Sequence, residues 1–190
     1  MALTIEGKVW KFGDNTSTDY MMPGFTRGTT PEETAAYCMK AIRPEFSATV
    51  RPGDGLVGGR NFGCGSSRPA AMNLLTLGVG CVIAESFGRI FFRNSINLGF
   101  PVMICKGVHD AFNEGDRLQA NFDTGEVKNL TTGKALKAET LPEVAMKILS
   151  AGGIVPLLKE EYGSADKAGE PIFIYHSFMA PKRPGQPPTN

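Results

Sequence analysis

The sequence predicts an α/β fold in which parallel strands, joined by helical crossovers, give way to an antiparallel hairpin. Two observations carry this. Between residues 56 and 105, short apolar runs alternate with helix-like segments, and glycine closes each helix. A strand–helix–strand–helix–strand series of that kind implies parallel pairing through right-handed crossovers. From Arg117 onward the pattern changes: two short stretches flank Asp123-Thr124-Gly125, which is the signature of a hairpin.

Lys8 to Phe12 reads as a first strand, followed by a Gly13-Asp14-Asn15 turn. Thr30-Pro31-Glu32-Glu33 is a helix start with a cap, a proline at the first position and acids in the first turn. That helix is expected to run to about Ala41 and to stop before Pro44. Arg51-Pro52-Gly53-Asp54 is a turn, and Leu56-Val57 ends a strand that delivers a glycine-rich loop. Ala70 to Leu77 reads as helix with Gly78 as its C-cap, and Val79 to Ala84 as a buried strand. Gly88 to Leu98 is a second helix closed by Gly99, and Pro101 to Cys105 a further buried strand. The hairpin pairs Arg117–Phe122 with Glu126–Leu130, and Thr131-Thr132-Gly133-Lys134 makes another turn. Pro142 to Leu149 is a helix closed by Gly152-Gly153, and Ile154 to Leu158 reads either as a last strand or as a short helix. The domain is expected to occupy residues 1–176. The proline-rich ending, residues 177–190, cannot build core and reads as a flexible tail.

Composition limits the function. The 190 residues are 42% hydrophobic and 21% charged, as in a soluble globular domain. A net charge of +1 offers no electrostatic case for nucleic acid or acidic membranes. No apolar run reaches the length of a membrane span, and the first residues lack the features of a signal peptide, so a cytoplasmic protein is expected. Cys38, Cys64, Cys81 and Cys105 show no metal-ligand spacing, and no metal site is expected on this chain. Cys81 and Cys105 sit in apolar runs and read as core, as does Trp10. Cys64 lies in the glycine loop, where it either fits the turn or touches a ligand. His109 and His176 read as structural or surface residues.

The loop itself is Gly58-Gly59-Arg60-Asn61-Phe62-Gly63-Cys64-Gly65-Ser66-Ser67-Arg68-Pro69. It is not a Walker A motif, and it lacks the third glycine of a dinucleotide fingerprint. Its glycines permit a tight turn, its serines suit a helix cap, and Pro69 suits the first helical position. Backbone N–H groups, two hydroxyls and a guanidinium at one point would bind a small carboxylate. Alternatively, the serines only satisfy helix donors.

Asn61-Phe62-Gly63-Cys64-Gly65-Ser66-Ser67-Arg68 resembles the signature of the aconitase swivel-domain family, and most closely its free-standing small subunits of the 3-isopropylmalate dehydratase type. Residues 7–15 with Thr18-Asp19, the segments Arg43-Pro44-Glu45-Phe46 and Val50-Arg51-Pro52-Gly53-Asp54, and residues 86–99 carry the same resemblance. It implies a mixed, barrel-like β/β/α sheet with flanking helices. It also implies a hydro-lyase active only with a large subunit that carries a [4Fe-4S] cluster, and a hydroxy-di- or tricarboxylic acid as substrate. By motif position, Ser66 resembles the family's proton-abstracting serine, while Ser67 and Arg68 resemble its substrate-carboxylate contacts. Asp19 would position the loop or the substrate, or else serve a turn; Arg27 would reach a carboxylate or stay solvated. Two departures stand out: Pro69-Ala70 replaces the family's usual Glu-His, and Asp19-Tyr20-Met21-Met22-Pro23-Gly24-Phe25-Thr26-Arg27 differs from its usual Ile-Ile-Pro-Ala-Arg run. The reaction implied is isomerisation of an alkylmalate, 3-isopropylmalate to 2-isopropylmalate in leucine biosynthesis. Related 2-alkylmalate, dimethylmalate, homoaconitate and citraconate-type (de)hydratases are alternatives, as is a non-catalytic anion-binding module. Residues 20–30 are expected to form a mobile loop, with Tyr20, Met21, Met22 and Phe25 either lining an alkyl pocket or joining the core.

Overall fold

The computed structural model describes residues 3–26, 30–65 and 70–163. Among these residues one sheet of seven strands forms, in the order β4-β3-β2-β1-β5-β6-β7. Strands β1 (Thr4–Phe12), β2 (Gly55–Gly58), β3 (Cys81–Ala84) and β4 (Val102–Ile104) are parallel neighbours. Strands β5 (Arg117–Asn121), β6 (Glu126–Asn129) and β7 (Ala135–Lys137) continue the sheet antiparallel. β1 joins the halves: its first residues pair with β5 (Ile5 opposite Ala120) and its last with β2 (Trp10 opposite Leu56).

Strand alternation divides the core in two. Trp10, Phe12, Leu56, Val82, Ala84 and Val102 face one way. They pack under α1 (Thr18–Met21), α3 (Phe46–Thr49), α4 (Ala70–Thr76), α5 (Arg89–Asn97), α7 (Glu143–Ser150) and α8 (Ile154–Tyr162), with α2 (Pro31–Ala35) set against α4. Val9, Val57, Cys81, Ile83 and Met103 face the opposite way. There the sheet curls into a half-barrel, so that Leu118, Ala120 and Val127 close onto them with α6 (Val108–Ala111). The parallel strands lie in sequence order, so right-handed crossovers all fall on the same face. That leaves the other face free to curl.

The expected elements are present, with instructive differences. β1 starts at Thr4 rather than Lys8 because β5 extends its ladder. The capping box at Thr30 forms: the Glu33 N–H donates to the Thr30 hydroxyl and the Thr30 N–H to the Glu33 carboxylate. The helix nevertheless ends at Ala35 instead of Ala41. The Met39 N–H donates to the Tyr20 carbonyl at 2.7 Å, and Met39 takes φ +59°, which pulls Cys38 and Met39 into the core and off the helix axis. Residues 154–158 resolve as helix, α8, in which Pro156 sits in the first turn where no N–H is needed. β7 and the four-residue helices α1, α3 and α6 are too short for periodicity to reveal. The segment from Tyr20 is not loop throughout. α1 and a 3-10 turn over Gly24–Thr26 occupy much of it, and Met21 is fully buried in the core rather than lining a pocket. Residues 27–29 lie outside the described residues, as do 66–69 and the expected tail. Among the described residues no helix is long and apolar enough to cross a membrane.

Trp10, Cys81 and Cys105 are core, as expected, and Cys38 joins them; Cys64 is half-buried. Burial pushes the Cys38 thiol far above its ordinary range, Cys81 to about 12, and Cys105 to about 11 with help from the Glu85 charge. Thiolates are the reactive form. Iodoacetamide near neutral pH should therefore label Cys64 first and the other three only on unfolding, as read by peptide mass spectrometry. Equal native-state labelling of Cys81 would contradict this packing.

Candidate functional site

The glycine loop leaves β2 and is fastened on both sides. On one side lie residues 12–16: the Gly59 N–H donates to the Phe12 carbonyl at 3.1 Å and the Gly63 N–H to the Thr16 carbonyl at 2.7 Å. On the other lies Ser86, whose hydroxyl accepts from Asn61 N–H and whose carbonyl accepts from Phe62 N–H, each at 2.9 Å. The Arg60 N–H donates to Asp14 at 2.6 Å, and the Arg60 guanidinium donates to the same carboxylate at 2.9 and 3.0 Å. These bonds, the backbone one first, hold the Asp14 carboxyl below the usual carboxylate range. The Asn61 side-chain amide reaches the Asn15 side chain at 2.8 Å. Sequence reasoning missed this Arg60–Asp14 lock, since nothing local signals a pair 46 residues apart.

These bonds correct one expectation. The N–H groups of residues 59–63 are all committed to protein acceptors. None of these five is available to an anion, so backbone donation to a ligand has to come from beyond Gly63. The first part of the turn is a scaffold. Its centre is Phe62, fully buried and packed edge-on against Phe12, Phe87 and Phe91 with centroids 5.8–6.4 Å apart. Gly63 turns at φ +73°, where a Cβ would lie 2.3 Å from the Phe91 ring. Gly65, at φ +113°, passes so close that a Cβ would meet the Thr18 hydroxyl at 2.9 Å.

Of the sequence-predicted site residues, Ser66, Ser67, Arg68 and Arg27 lie outside the described residues. Asp19 is described, and it is brought to the loop. It is exposed in α1, whose Thr18 N–H donates to the Cys64 carbonyl at 2.8 Å. Ser17, not Asp19, caps this helix: its hydroxyl accepts the Asp19 N–H at 3.1 Å. The buried Asn73 of α4 holds α1 from behind through the Met21 carbonyl at 2.7 Å. Two helices thus meet where the loop ends.

A cleft of about 480 Å³ opens along the loop, lined by Asn61, residues 63–65 and the first turns of α5 at Arg89, Ile90 and Arg93. Ligand sites commonly have this size. A second depression of about 420 Å³ lies over Trp10 and Asp54. There the Asp54 carboxylate already accepts from the Trp10 indole at 3.1 Å and from the Arg51 and Lys8 N–H groups at 3.0 and 3.3 Å, which makes it a structural brace. His109 lies in α6, with Nδ1 3.7 Å from Asp110; His176 lies outside the described residues. Among the described residues no three His, Cys, Asp or Glu side chains converge as a metal-ligand set.

Residues 49–107 match the family model of the aconitase C-terminal domain. This stretch contains β2, the loop, α4, β3, α5 and β4, and so both walls of the cleft. The isopropylmalate/citramalate isomerase small subunit of Methanocaldococcus jannaschii is 53% identical over 163 residues, covering 85% of this chain and 97% of that protein. The chain belongs to the 3-isopropylmalate dehydratase small-subunit family. The family's small subunit 1 from Methanopyrus kandleri is 48% identical over 159 residues, or 83% of this chain and 94% of its own length. A crystal structure of a 3-isopropylmalate dehydratase from M. jannaschii superposes with a TM-score of 0.80 at 40% identity, across 87% of this chain and 99% of that one. The aconitase-type swivel fold expected from the motifs is therefore the fold of this small-subunit family, and its mixed, curled sheet is the one described above.

Proposed function

We propose that this chain is the small subunit of a hydro-lyase that isomerises an alkylmalate, 3-isopropylmalate to 2-isopropylmalate in leucine biosynthesis, together with a large subunit. The observation that carries this reading is near full-length similarity to small subunits so named, combined with a cleft built on the family's glycine loop. The M. jannaschii relative is named for citramalate as well as isopropylmalate, so the proposal extends to alkylmalates with a shorter side group.

In this proposal the [4Fe-4S] cluster, with the Lewis-acid chemistry it supplies, belongs to the large subunit. The small subunit contributes a base and a clamp. Ser66 removes the proton next to a carboxylate, and Ser67, Arg68 and Arg27 hold carboxylate oxygens. A serine hydroxyl is a weak base unless its alkoxide is stabilised. Arg68 and the donors beyond Gly63 would supply that stabilisation, next to a turn that is braced on both sides. Asp19 presents a carboxylate from the helix docked on Cys64 and would set the position of this end of the loop. Residues 1–176 form the working domain and 177–190 a tail, and the complex works in the cytoplasm.

The test is reconstitution with the cognate large subunit, followed by assays of isopropylmalate interconversion and of citraconate hydration. The purified chain alone should hold no iron or sulfide in stoichiometric amount and should turn over neither substrate. A full cluster on this chain would overturn the division of labour. A reconstituted pair that bound alkylmalates without converting them would make the chain an anion-binding module.

A further inference from the structure

Arg89 and Arg93 lie one helical turn apart on α5, both are exposed, and both line the cleft beside the glycine loop. Among the described residues neither has an acidic partner. Their presence does not stabilise the helix. Like charges four residues apart repel, and Arg89, in the first turn, meets the positive end of the helix dipole. Among the described residues that line the cleft there is no aspartate or glutamate. Between the two arginines in sequence stands Ile90, which lines the same cleft with 47% of its surface exposed. The wall therefore offers two unneutralised guanidinium groups and one open apolar side chain, and it faces the loop that leads to Ser66.

An alkylmalate has the matching chemistry, with two carboxylates and one alkyl group. The loop's Ser67 and Arg68 account for one carboxylate in the proposed function; Arg27 contributes to the clamp, and the α5 wall is where further cations for the second carboxylate stand. We propose that Arg89 and Arg93 bind that second substrate carboxylate, with Ile90 against the alkyl group. This inference rests on the function proposed above. Guanidinium groups suit the role because each can present parallel N–H donors to a carboxylate.

The experiment uses the reconstituted two-subunit enzyme with 3-isopropylmalate and with citramalate. Arg89→Gln and Arg93→Gln should each raise KM about tenfold, and the double variant about a hundredfold, on the usual strength of charged hydrogen bonds. The kcat should stay close to wild type, since the contact is made equally in ground and transition states. The affinity for the large subunit, followed by titration calorimetry, should be unchanged. Arg89→Lys with Arg93→Lys should recover part of the loss. Unchanged KM in an active pair would overturn the inference and leave the functional reading standing. Weakened subunit assembly with normal KM at saturating large subunit would also overturn it, assigning the arginines to docking. A wild-type pair inactive on every alkylmalate would bring down the functional reading and this inference with it.

Discussion

Ser66→Ala in the reconstituted enzyme is expected to lower kcat by about 10²- to 10⁴-fold, the usual contribution of a positioned proton acceptor. The KM should change little, and the two subunits should still assemble. The reasons lie on either side of the residue. Through Gly63 the loop is held by its own N–H groups, by the Arg60–Asp14 lock and by the Phe62 cluster, none of which involves the Ser66 hydroxyl. Just beyond it, α4 begins at Ala70 with both first residues buried. Removing one hydroxyl between two fixed supports should leave the scaffold intact and delete only chemistry. A single-turnover measurement on the variant, at saturating large subunit and substrate, decides the matter. Near-normal turnover would require another base.

Gly63→Ala should strongly lower stability. The new Cβ would stand 2.3 Å from Cγ of Phe91, at a backbone φ of +73° that side chains other than glycine's disfavour. The left-handed conformation costs about 1–2 kcal/mol and forced overpacking about 1–3 kcal/mol, so a loss of about 2–5 kcal/mol is expected. For a chain of this size that lowers Tm by roughly 5–20 °C in thermal denaturation. Relief should come from Phe91→Leu in the same chain, because the clash is with the aromatic ring. A Tm within error of wild type for Gly63→Ala would show that the loop can rearrange around residue 63 and is not the rigid support described.

The parallel half of the fold was legible because its signals are local. Apolar runs at 81–84 and 102–104, glycine caps at 78 and 99, and the Thr30 capping box all depend on neighbours in sequence. What escaped depends on distant partners. No local pattern says that Met39 will give its N–H to Tyr20, that Asp14 will hold Arg60, or that residues 135–137 will find β6. The site divides in the same way. The glycine loop and its adjoining helices were evident from spacing. The consumption of the N–H groups of residues 59–63 by residues 12–16 and by Ser86 could only come from the three-dimensional arrangement.

The position of β1 bears on how the chain is made. Thr4 to Lys8 pair with Arg117 to Asn121, more than a hundred residues later, and Val9 to Phe12 pair with β2. Leaving the ribosome more than a hundred residues ahead of β5, β1 keeps one edge bare through that interval. During that interval the Thr4–Phe12 ribbon, alternately apolar, is a template for the wrong neighbour. Lys8, exposed, and Lys11, half-buried, stand on opposite faces of this strand, and charges of that kind discourage edge-to-edge association while the strand waits. Expression of fragments truncated before β5 should therefore give aggregates, and the yield of the intact chain should depend on translation speed more than its native stability would suggest.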